Sequence, residues 1–199
     1  MKNSLPAMIL IFAAILFLVP SVSLAQSQGE GVLVERYVSI SPYGLVYVWD
    51  SLKKVPPGSS FELEIPGSIY SNLKHLDVSG ATLSGQEVRD GQHYYKLVAE
   101  SEEVVIRHIY SGLVAGRGGD SYMITAPSTP FFIGVNYSSN IFIQLPNGAQ
   151  VQNVPPGFTL NETMLIQRAA KHATLEPQTV SFSFTSTAVQ LMVAERLTL

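Results

Sequence analysis

The 199-residue chain carries 12 basic and 15 acidic side chains, which gives it a formal net charge of −3. This weak acidity argues against a nucleic-acid partner, because binding to phosphates requires a basic face. The chain has no cysteine and therefore no disulfide, so the 46% of apolar residues must supply a core that stabilises the fold by burial alone.

The N-terminal segment has the parts of a secretory signal peptide. Lys2 makes the start positive, and the run 5–19 is apolar and free of charge. Small residues stand one and three positions before a cut between Ala25 and Gln26. We therefore predict a cleaved signal peptide over residues 1–25 and an extracellular or cell-surface location. An uncleaved membrane anchor is the alternative, since the charge-free stretch approaches the ~20 residues of a membrane helix.

Beyond the leader, apolar and polar residues alternate almost everywhere, which is the period of a β-strand with one buried face. This alternation predicts that Phe61, Leu63 and Ile65 face a core while the two glutamates between them face water. His108 falls in phase with the apolar residues around it, which predicts a buried or half-buried side chain. Further strand-like runs are 32–40, 45–49, 94–98, 104–110, 131–136, 141–145, 180–185 and 189–193. Short strands at such intervals predict an all-β fold of one or two Ig-like β-sandwich domains.

A glycine-rich stretch lies about midway along the chain that follows the leader. We predict a linker over residues 116–130, because small residues without hydrophobic periodicity are typical of domain boundaries. The predicted units are a first β-sandwich domain over 26–115 and a second over 131–199. A single sandwich with a long connecting loop is the alternative.

The tetrapeptide Val-Pro-Pro-Gly occurs at 55–58 and again at 154–157, which favours an internal duplication. A second alignment, of 61–66 with 141–146, requires a different offset between the two halves. The two registers are incompatible, so the duplication is one of two interpretations of the sequence. Proline and glycine at these positions predict chain reversals in either case.

Helix is scarce in this sequence. The best candidate is the segment 163–171, with Asn161 placed to cap its N-terminus. A turn or two of helix is also predicted within 68–76. Neither segment is long enough to change the all-β assignment.

Two sequons fit N-glycosylation of an exported protein. They are Asn136-Tyr137-Ser138 and Asn161-Glu162-Thr163, and we predict glycans on Asn136 and Asn161. Each is a three-residue pattern, so the alternative is that these are ordinary turn residues.

Motifs for catalysis or metal binding are missing from the sequence. No two histidines stand at metal-ligand spacing and there is no cysteine to join them, while His75 and Asp77 on one strand face are typical of a surface hydrogen bond. The nucleophile elbow Gly-x-Ser-x-Gly is absent. We predict no catalytic residue, no metal and no cofactor, and hence a non-enzymatic protein. An exported hydrolase that uses His93 or Asp120 is a remaining alternative.

Aromatic residues are dense in the first half of the chain, and exposed rings along a sheet are one way to bind sugars. These residues are Tyr37, Tyr43, Tyr47, Trp49, Tyr94 and Tyr95. Tyr47 and Trp49 share a strand face with Leu45, which favours packing in the core or at a sheet edge. A sugar-binding platform is the alternative.

The run 35–48, Glu-Arg-Tyr-Val-Ser-Ile-Ser-Pro-Tyr-Gly-Leu-Val-Tyr-Val, resembles in layout the N-terminal strands of exported archaeal surface proteins. It is also similar to the lumenal β region of ribophorin I, a non-catalytic oligosaccharyltransferase subunit. The run 131–156 follows the same scheme of strands and turns. The resemblance implies an exported, β-rich protein and carries over no functional residue.

These observations predict a secreted or cell-surface, non-enzymatic structural or adhesive β module with protein partners, as in an envelope layer or filament. The flexible segment 26–31 leads into the apolar residues 32–34, and such a tail predicts homo-oligomers formed by strand addition to a neighbour's sheet edge. The apolar run 189–199 is the matching candidate for an assembly contact. Pairing of both runs within their own domain is the alternative, and an extracellular carbohydrate- or ligand-binding module is the alternative function.

Overall fold

A computed structural model of the chain describes residues 31–118, 120–126, 131–171 and 178–184. The described strands form three sheets whose buried side chains make one hydrophobic core, so the prediction of an all-β sandwich fold is confirmed. Gly31–Leu199 form one compact unit. The predicted signal peptide, its cleavage site at Ala25 and Gln26, and the apolar run 189–199 lie outside the described residues.

The largest sheet has seven strands, and β1 and β11 pair in parallel while the other neighbours are antiparallel. In spatial order the strands are β13 (Thr159–Asn161), β14 (Met164–Lys171), β11 (Tyr137–Gln144), β1 (Val32–Ile40), β2 (Val46–Lys53), β7 (Glu103–Tyr110) and β4 (Leu73–Ser79). The strands are rich in β-branched and aromatic residues, which pack well on a pleated surface.

Two four-stranded sheets complete the fold. One contains β10 (Phe132–Ile133), β3 (Ser60–Ile65), β6 (Gln92–Ala99) and β5 (Ala81–Arg89), and the other contains β12 (Gln150–Asn153), β15 (Gln178–Ser183), β9 (Ser121–Ala126) and β8 (Val114–Gly118). A single helical turn, α1 (Gly67–Tyr70), follows β3. Phe61, Leu63 and Ile65 of β3 are buried as the alternation predicts.

The glycine-rich stretch 116–130, for which a linker is predicted, includes part of β8 and all of β9. These two strands pair in an antiparallel hairpin, and Gly118 takes a positive φ of 100° where the chain reverses. Beyond this stretch, β11 pairs with β1, which precedes it. Strands from both sides of the predicted boundary therefore lie in one sheet, and Gly116 and Gly118 are part of β8.

The helix predicted over 163–171 is wrong, because this segment forms β14. Leu165 is fully buried, and β14 is hydrogen-bonded to β11 on one side and to β13 on the other. Asn161 ends β13 instead of capping a helix. Pairing on both sides and burial of Leu165 outweigh the helix propensity of the sequence. The short helix predicted within 68–76 corresponds to α1, which begins at Gly67.

The two Val-Pro-Pro-Gly tetrapeptides form the same turn. The amide of Ser59 donates to the carbonyl oxygen of Pro56 at 3.0 Å, and the amide of Phe158 donates to that of Pro155 at 3.2 Å. The glycines have φ angles of 81° and 82°, as a type II turn with proline at its second position requires. The turns lead into β3 and β13, which lie in different sheets. The tetrapeptide thus specifies a local reversal, and the duplication stays a prediction.

The apolar residues 32–34, predicted to donate a strand to a neighbour, pair within their own chain. They begin β1, where Val32 lies opposite Tyr137 of β11 and Leu33 lies opposite Lys53 of β2. Both edges of β1 are therefore occupied along this segment. Strand donation by these residues would require the central strand to leave its own sheet.

Candidate functional site

Charged side chains lie buried on the inner face of the seven-stranded sheet. Arg36 of β1 lies directly opposite Asp50 of β2, and the exposed fraction of Asp50 is 0%. The guanidinium of Arg36 donates from Nε to Oδ1 of Asp50 at 2.6 Å and from Nη2 to Oδ2 at 2.5 Å. This bidentate geometry is the strongest arrangement of the two groups. The pair was not predicted from the sequence, although both residues are in phase with buried valines of their own strands.

His108 of β7 joins this pair, and its predicted place in the core is confirmed. Its Nδ1 lies 3.0 Å from the hydroxyl oxygen of Tyr110, and its Nε2 lies 3.5 Å from Oδ2 of Asp50. The tautomer with hydrogen on Nε2 fits both neighbours, because Nε2–H then faces the carboxylate while Nδ1 accepts from Tyr110. Arg36, Asp50 and His108 are called the inner cluster below.

Electrostatics keep the inner cluster in one protonation state near neutral pH. Burial alone would raise the pKa of Asp50, but Arg36 and the neighbouring His108 lower that pKa to about 2. Burial lowers the pKa of His108, and Asp50 offsets only part of this effect. Burial also opposes the charge of Arg36, yet Asp50 keeps the guanidinium pKa raised. The cluster is therefore an ion pair beside a neutral imidazole, enclosed in the core.

The outer face of the same sheet carries a row of side chains that crosses all seven strands. From β13 to β4 the row consists of Thr159, Ile166, Phe142, Tyr37, Trp49, Arg107 and Asp77. Each residue lies directly opposite the next in the strand register, and we call this row the outer rung. Side chains opposite one another on one face are near enough to interact.

Planar groups are stacked along the outer rung. The rings of Tyr37 and Phe142 are nearly parallel, at an angle of 9° with centroids 4.6 Å apart. The guanidinium carbon of Arg107 lies 5.3 Å from the ring centroid of Trp49, within the range of a cation–π contact. Arg107 also donates from Nη1 to Oδ2 of Asp77 at 2.9 Å. The rung thus has apolar and aromatic groups from Ile166 to Trp49 and ends at β4 with an ion pair.

The aromatic side chains of β1 and β2 are exposed, so their predicted packing in the core or at an edge is wrong. The exposed fractions are 44% for Tyr37, 43% for Tyr47 and 49% for Trp49. Val46 and Val48 turn inward and place the residues between and after them on the outer face. Among the other predicted rings, Tyr95 is buried, Tyr94 is half-buried and Tyr43 is exposed in a turn.

A second row runs beside the outer rung on the same face. From β13 to β4 it contains Asn161, Met164, Gln144, Ser39, Tyr47, Ile109 and His75, and we call it the second rung. Uncharged residues thus separate Tyr47 from the edge strand β13. Lys53, farther along β2, donates to Oε2 of Glu35 at 2.7 Å. Two ion pairs, Arg107 with Asp77 and Lys53 with Glu35, therefore lie on the face that carries the rings.

The two predicted glycosylation sites are both exposed. Asn136 lies just before β11, where its backbone carbonyl accepts from the amide of Val32 at 2.9 Å. Asn161 is the last residue of the edge strand β13 and a member of the second rung. In the same sequon, the hydroxyl of Thr163 accepts from Nε2 of Gln144 at 2.7 Å. Glycosylation of the two asparagines stays a prediction.

The two residues proposed for an alternative hydrolase site, His93 and Asp120, are associated with different sheets. His93 belongs to β6 and stacks on Tyr70, whereas Asp120 lies between β8 and β9, in another sheet. His75 is exposed and Asp77 is paired with Arg107. Among the described residues, no three His, Asp or Glu side chains are grouped so that they would hold a metal ion.

The sequence matches no protein family and no curated protein. Among solved structures, an aminopeptidase N family protein from Idiomarina loihiensis is 11% identical, with a TM-score of 0.49 over 77% of this chain. The chain spans 31% of that protein's length. The folded domain of Mycobacterium tuberculosis LppM is 14% identical, with a TM-score of 0.36 over 81% of this chain and 95% of that one. Within the described ranges, no helix has the length and apolar character needed to cross a membrane. The likeness to archaeal surface proteins and ribophorin I stays a prediction.

Proposed function

We propose that this protein is a non-enzymatic structural or adhesive module of the cell surface and that the outer face of the seven-stranded sheet is its contact surface. One observation carries the proposal: Tyr37, Tyr47 and Trp49 are 43–49% exposed on β1 and β2, two inner strands of the sheet. Clustered exposed rings are typical of interaction sites, because water solvates them poorly and their polar atoms still form hydrogen bonds.

The inner cluster supports a structural role and not a catalytic one. Asp50 is fully buried and both of its oxygens accept from Arg36, so the reactive groups are occupied by one another. A general acid or base must instead be within hydrogen-bond reach of a substrate. The cluster connects β1, β2 and β7 and so holds together the strands that present the outer rung.

Binding of the labelled protein to intact cells of the organism that produces it tests the contact surface. We expect the double variant Tyr37→Ala/Trp49→Ala to bind at least tenfold more weakly than the unchanged protein. The matched control is Leu83→Ala/Val88→Ala, which removes two exposed apolar side chains from β5 in another sheet. Equal binding by the double variant and the unchanged protein, with unaltered circular dichroism, would contradict the proposal.

Export and assembly are tested on native material. Mass spectrometry of the secreted protein is expected to show Gln26 as the first residue and added sugar mass on Asn136 and Asn161. Electron microscopy of the purified protein tests the filament or layer role. Particles that stay monodisperse at every concentration would exclude a filament or layer built from this protein alone. Adhesion to a different partner would then be the proposal that remains.

A further inference from the structure

We infer that the outer rung binds an uncharged glycan chain carried by a neighbouring molecule, with the chain lying across β11, β1 and β2 beside Phe142, Tyr37 and Trp49. The inference rests on the contact surface proposed above and names its ligand. Failure of the glycan inference is distinguishable from failure of the proposed contact surface. If the surface binds a protein, mutation of its rings would weaken cell binding, but added sugars would not change the fluorescence of Trp49.

The direction and length of the outer rung fit an extended oligosaccharide. Neighbouring strands lie about 4.8 Å apart, so the four strands from Phe142 to Arg107 span about 14 Å. This distance accommodates about three sugar units of an extended chain, since one pyranose ring is about as long as one strand spacing. The rings of Tyr37 and Phe142 cover one another and present their edges, so the apolar C–H groups of such sugars would contact those edges and the half-exposed ring of Trp49.

Polar groups stand where a sugar requires hydrogen-bond partners. The rung ends at Arg107 and Asp77, which together offer N–H donors and carboxylate acceptors beside Trp49. Ser39, exposed on the second rung, lies between Tyr47 and Gln144. An apolar platform with a few fixed polar groups is the usual composition of a small-ligand site.

The charge of the face favours an uncharged ligand. Arg107 is paired with Asp77, and Lys53 is paired with Glu35. An acidic polysaccharide would find no free cation among these four groups and would have to break a pair to gain one. A neutral glycan avoids that loss, because sugar hydroxyls add to the existing pairs without replacing them.

The size of the aromatic patch argues against a protein as the main occupant. The rings from Phe142 to Trp49 extend for about 10 Å across the strands and about 7 Å along them, an area on the order of 70 Å². A stable protein interface usually buries roughly 800 Å² on each partner. The exposed rings therefore match the footprint of a few sugars better than that of a folded domain.

A glycan carried by Asn161 of this chain would be attached at some distance from the aromatic rings. Asn161 stands on β13, three strand intervals or about 14 Å from Ser39 of β1. A glycan on Asn161 would therefore begin four strand intervals, or about 19 Å, from Trp49 of β2. We assign the rings to a glycan from a neighbouring molecule, and the experiment treats the chain's own glycan as a competing occupant.

Trp49 is the only tryptophan of the chain, so its fluorescence reports directly on the site. We propose to titrate the variant Asn136→Gln/Asn161→Gln, which cannot carry N-linked sugars, with cellohexaose and with chitohexaose. We expect a saturable blue shift of the emission with at least one of these neutral hexasaccharides and no shift with hexagalacturonate. Tyr37→Ala and Arg107→Ala in the same background should each weaken the affinity at least tenfold, while Leu83→Ala should leave it unchanged.

Three outcomes would overturn the inference. Emission that does not respond to either neutral hexasaccharide, with cell binding still sensitive to Tyr37→Ala/Trp49→Ala, would leave the contact surface and exclude a glycan of this class. If the emission does not respond to either sugar and cell binding is also unchanged in Tyr37→Ala/Trp49→Ala, the outer face is not the contact surface. A blue shift that is present in the glycosylated protein without added sugar and disappears in Asn161→Gln, but not in Asn136→Gln, would assign the rings to the chain's own glycan.

Discussion

At one level of the seven-stranded sheet, the two faces reverse the usual alternation of apolar and polar residues. On β1 the charged Arg36 points inward while the neighbouring Tyr37 points outward, and on β2 Asp50 points inward while Trp49 points outward. The usual pattern is hydrophobic inside and polar outside. Both deviations occur at the same level of the sheet, so a buried polar cluster lies directly behind an exposed aromatic row.

An ion pair is tolerated in this core because its partners face each other in register. Arg36 and Asp50 are opposite one another, which allows two hydrogen bonds within the pair. A buried charge without its partner would be strongly unfavourable. The aromatic residues outside have no such requirement, because water remains available to their polar atoms. We therefore expect mutations on the inner face to cost stability and mutations on the outer face to cost binding.

The largest effect is expected for Asp50→Asn, which leaves Arg36 buried without its counter-ion. The free energy of unfolding should fall by about 3–5 kcal/mol in urea denaturation. The double variant Arg36→Met/Asp50→Leu replaces the pair with apolar side chains and should be closer in stability to the unchanged protein. If the double variant is as unstable as Asp50→Asn, the ion pair itself stabilises the fold. The loss in Asp50→Asn would then not be due only to an unpaired Arg36 in the core.

The pH dependence of stability comes next in size. The pKa of His108 is below its ordinary value in the folded protein, so the unfolded chain gains protons first and stability declines as the pH falls below about 6.5. The pKa of Asp50 is about 2 instead of its ordinary 3.8, so a further loss of about 2 kcal/mol is expected between pH 4 and pH 2. Urea denaturation at a series of pH values measures both steps. In His108→Gln the loss of stability that begins below about pH 6.5 should disappear, whereas His75→Gln, which changes an exposed histidine of the same sheet, should retain it.

A smaller loss is expected on the outer face. Trp49→Ala removes the cross-strand contacts of the ring and its cation–π contact with Arg107, which together are worth about 1 kcal/mol at an exposed position. Thermal unfolding followed by far-UV circular dichroism measures this change. A loss as large as that of Asp50→Asn would show that the aromatic row is part of the folding core and not a surface kept for binding.

The smallest effect is expected for Asp77→Asn at the end of the outer rung. The pair with Arg107 is solvent-exposed on both sides, and such pairs contribute between about 0 and 1 kcal/mol. Stability in urea should change within that range, and added salt should reduce the difference between variant and unchanged protein. A difference that persists in 1 M salt would mean that Asp77 acts through packing instead of charge.

Part of this fold is predictable from local sequence because alternation is a local property. The inward positions of Phe61, Leu63 and Ile65 and the burial of His108 follow from period-2 patterns within single strands. The same kind of local pattern wrongly predicted a helix in the segment that forms β14. Its composition also suits a helix, and only its pairing with β11 and β13 decides the matter.

The candidate site was harder to predict, since a charged residue in a strand is ordinarily placed on the solvent side. The valines at 34 and 38 indicate that Arg36 faces inward, and those at 46 and 48 indicate the same for Asp50. Leu45, which shares the face of Trp49, suggested the opposite phase for β2. The phase of the β-branched residues was the more reliable pattern, because they pack best against the pleated interior.

By itself the sequence determined the alternation in strands such as β1, β3 and β7 and the turns, including the reversal that each Val-Pro-Pro-Gly encodes, because these depend on dihedral preferences and on neighbours a few residues away. Only the tertiary structure decided that β1 pairs in parallel with β11, about a hundred residues later in the chain. That pairing brings Tyr37 beside Phe142 and completes the outer rung. Register between distant strands is set by closure of a shared core, so no local pattern contains it.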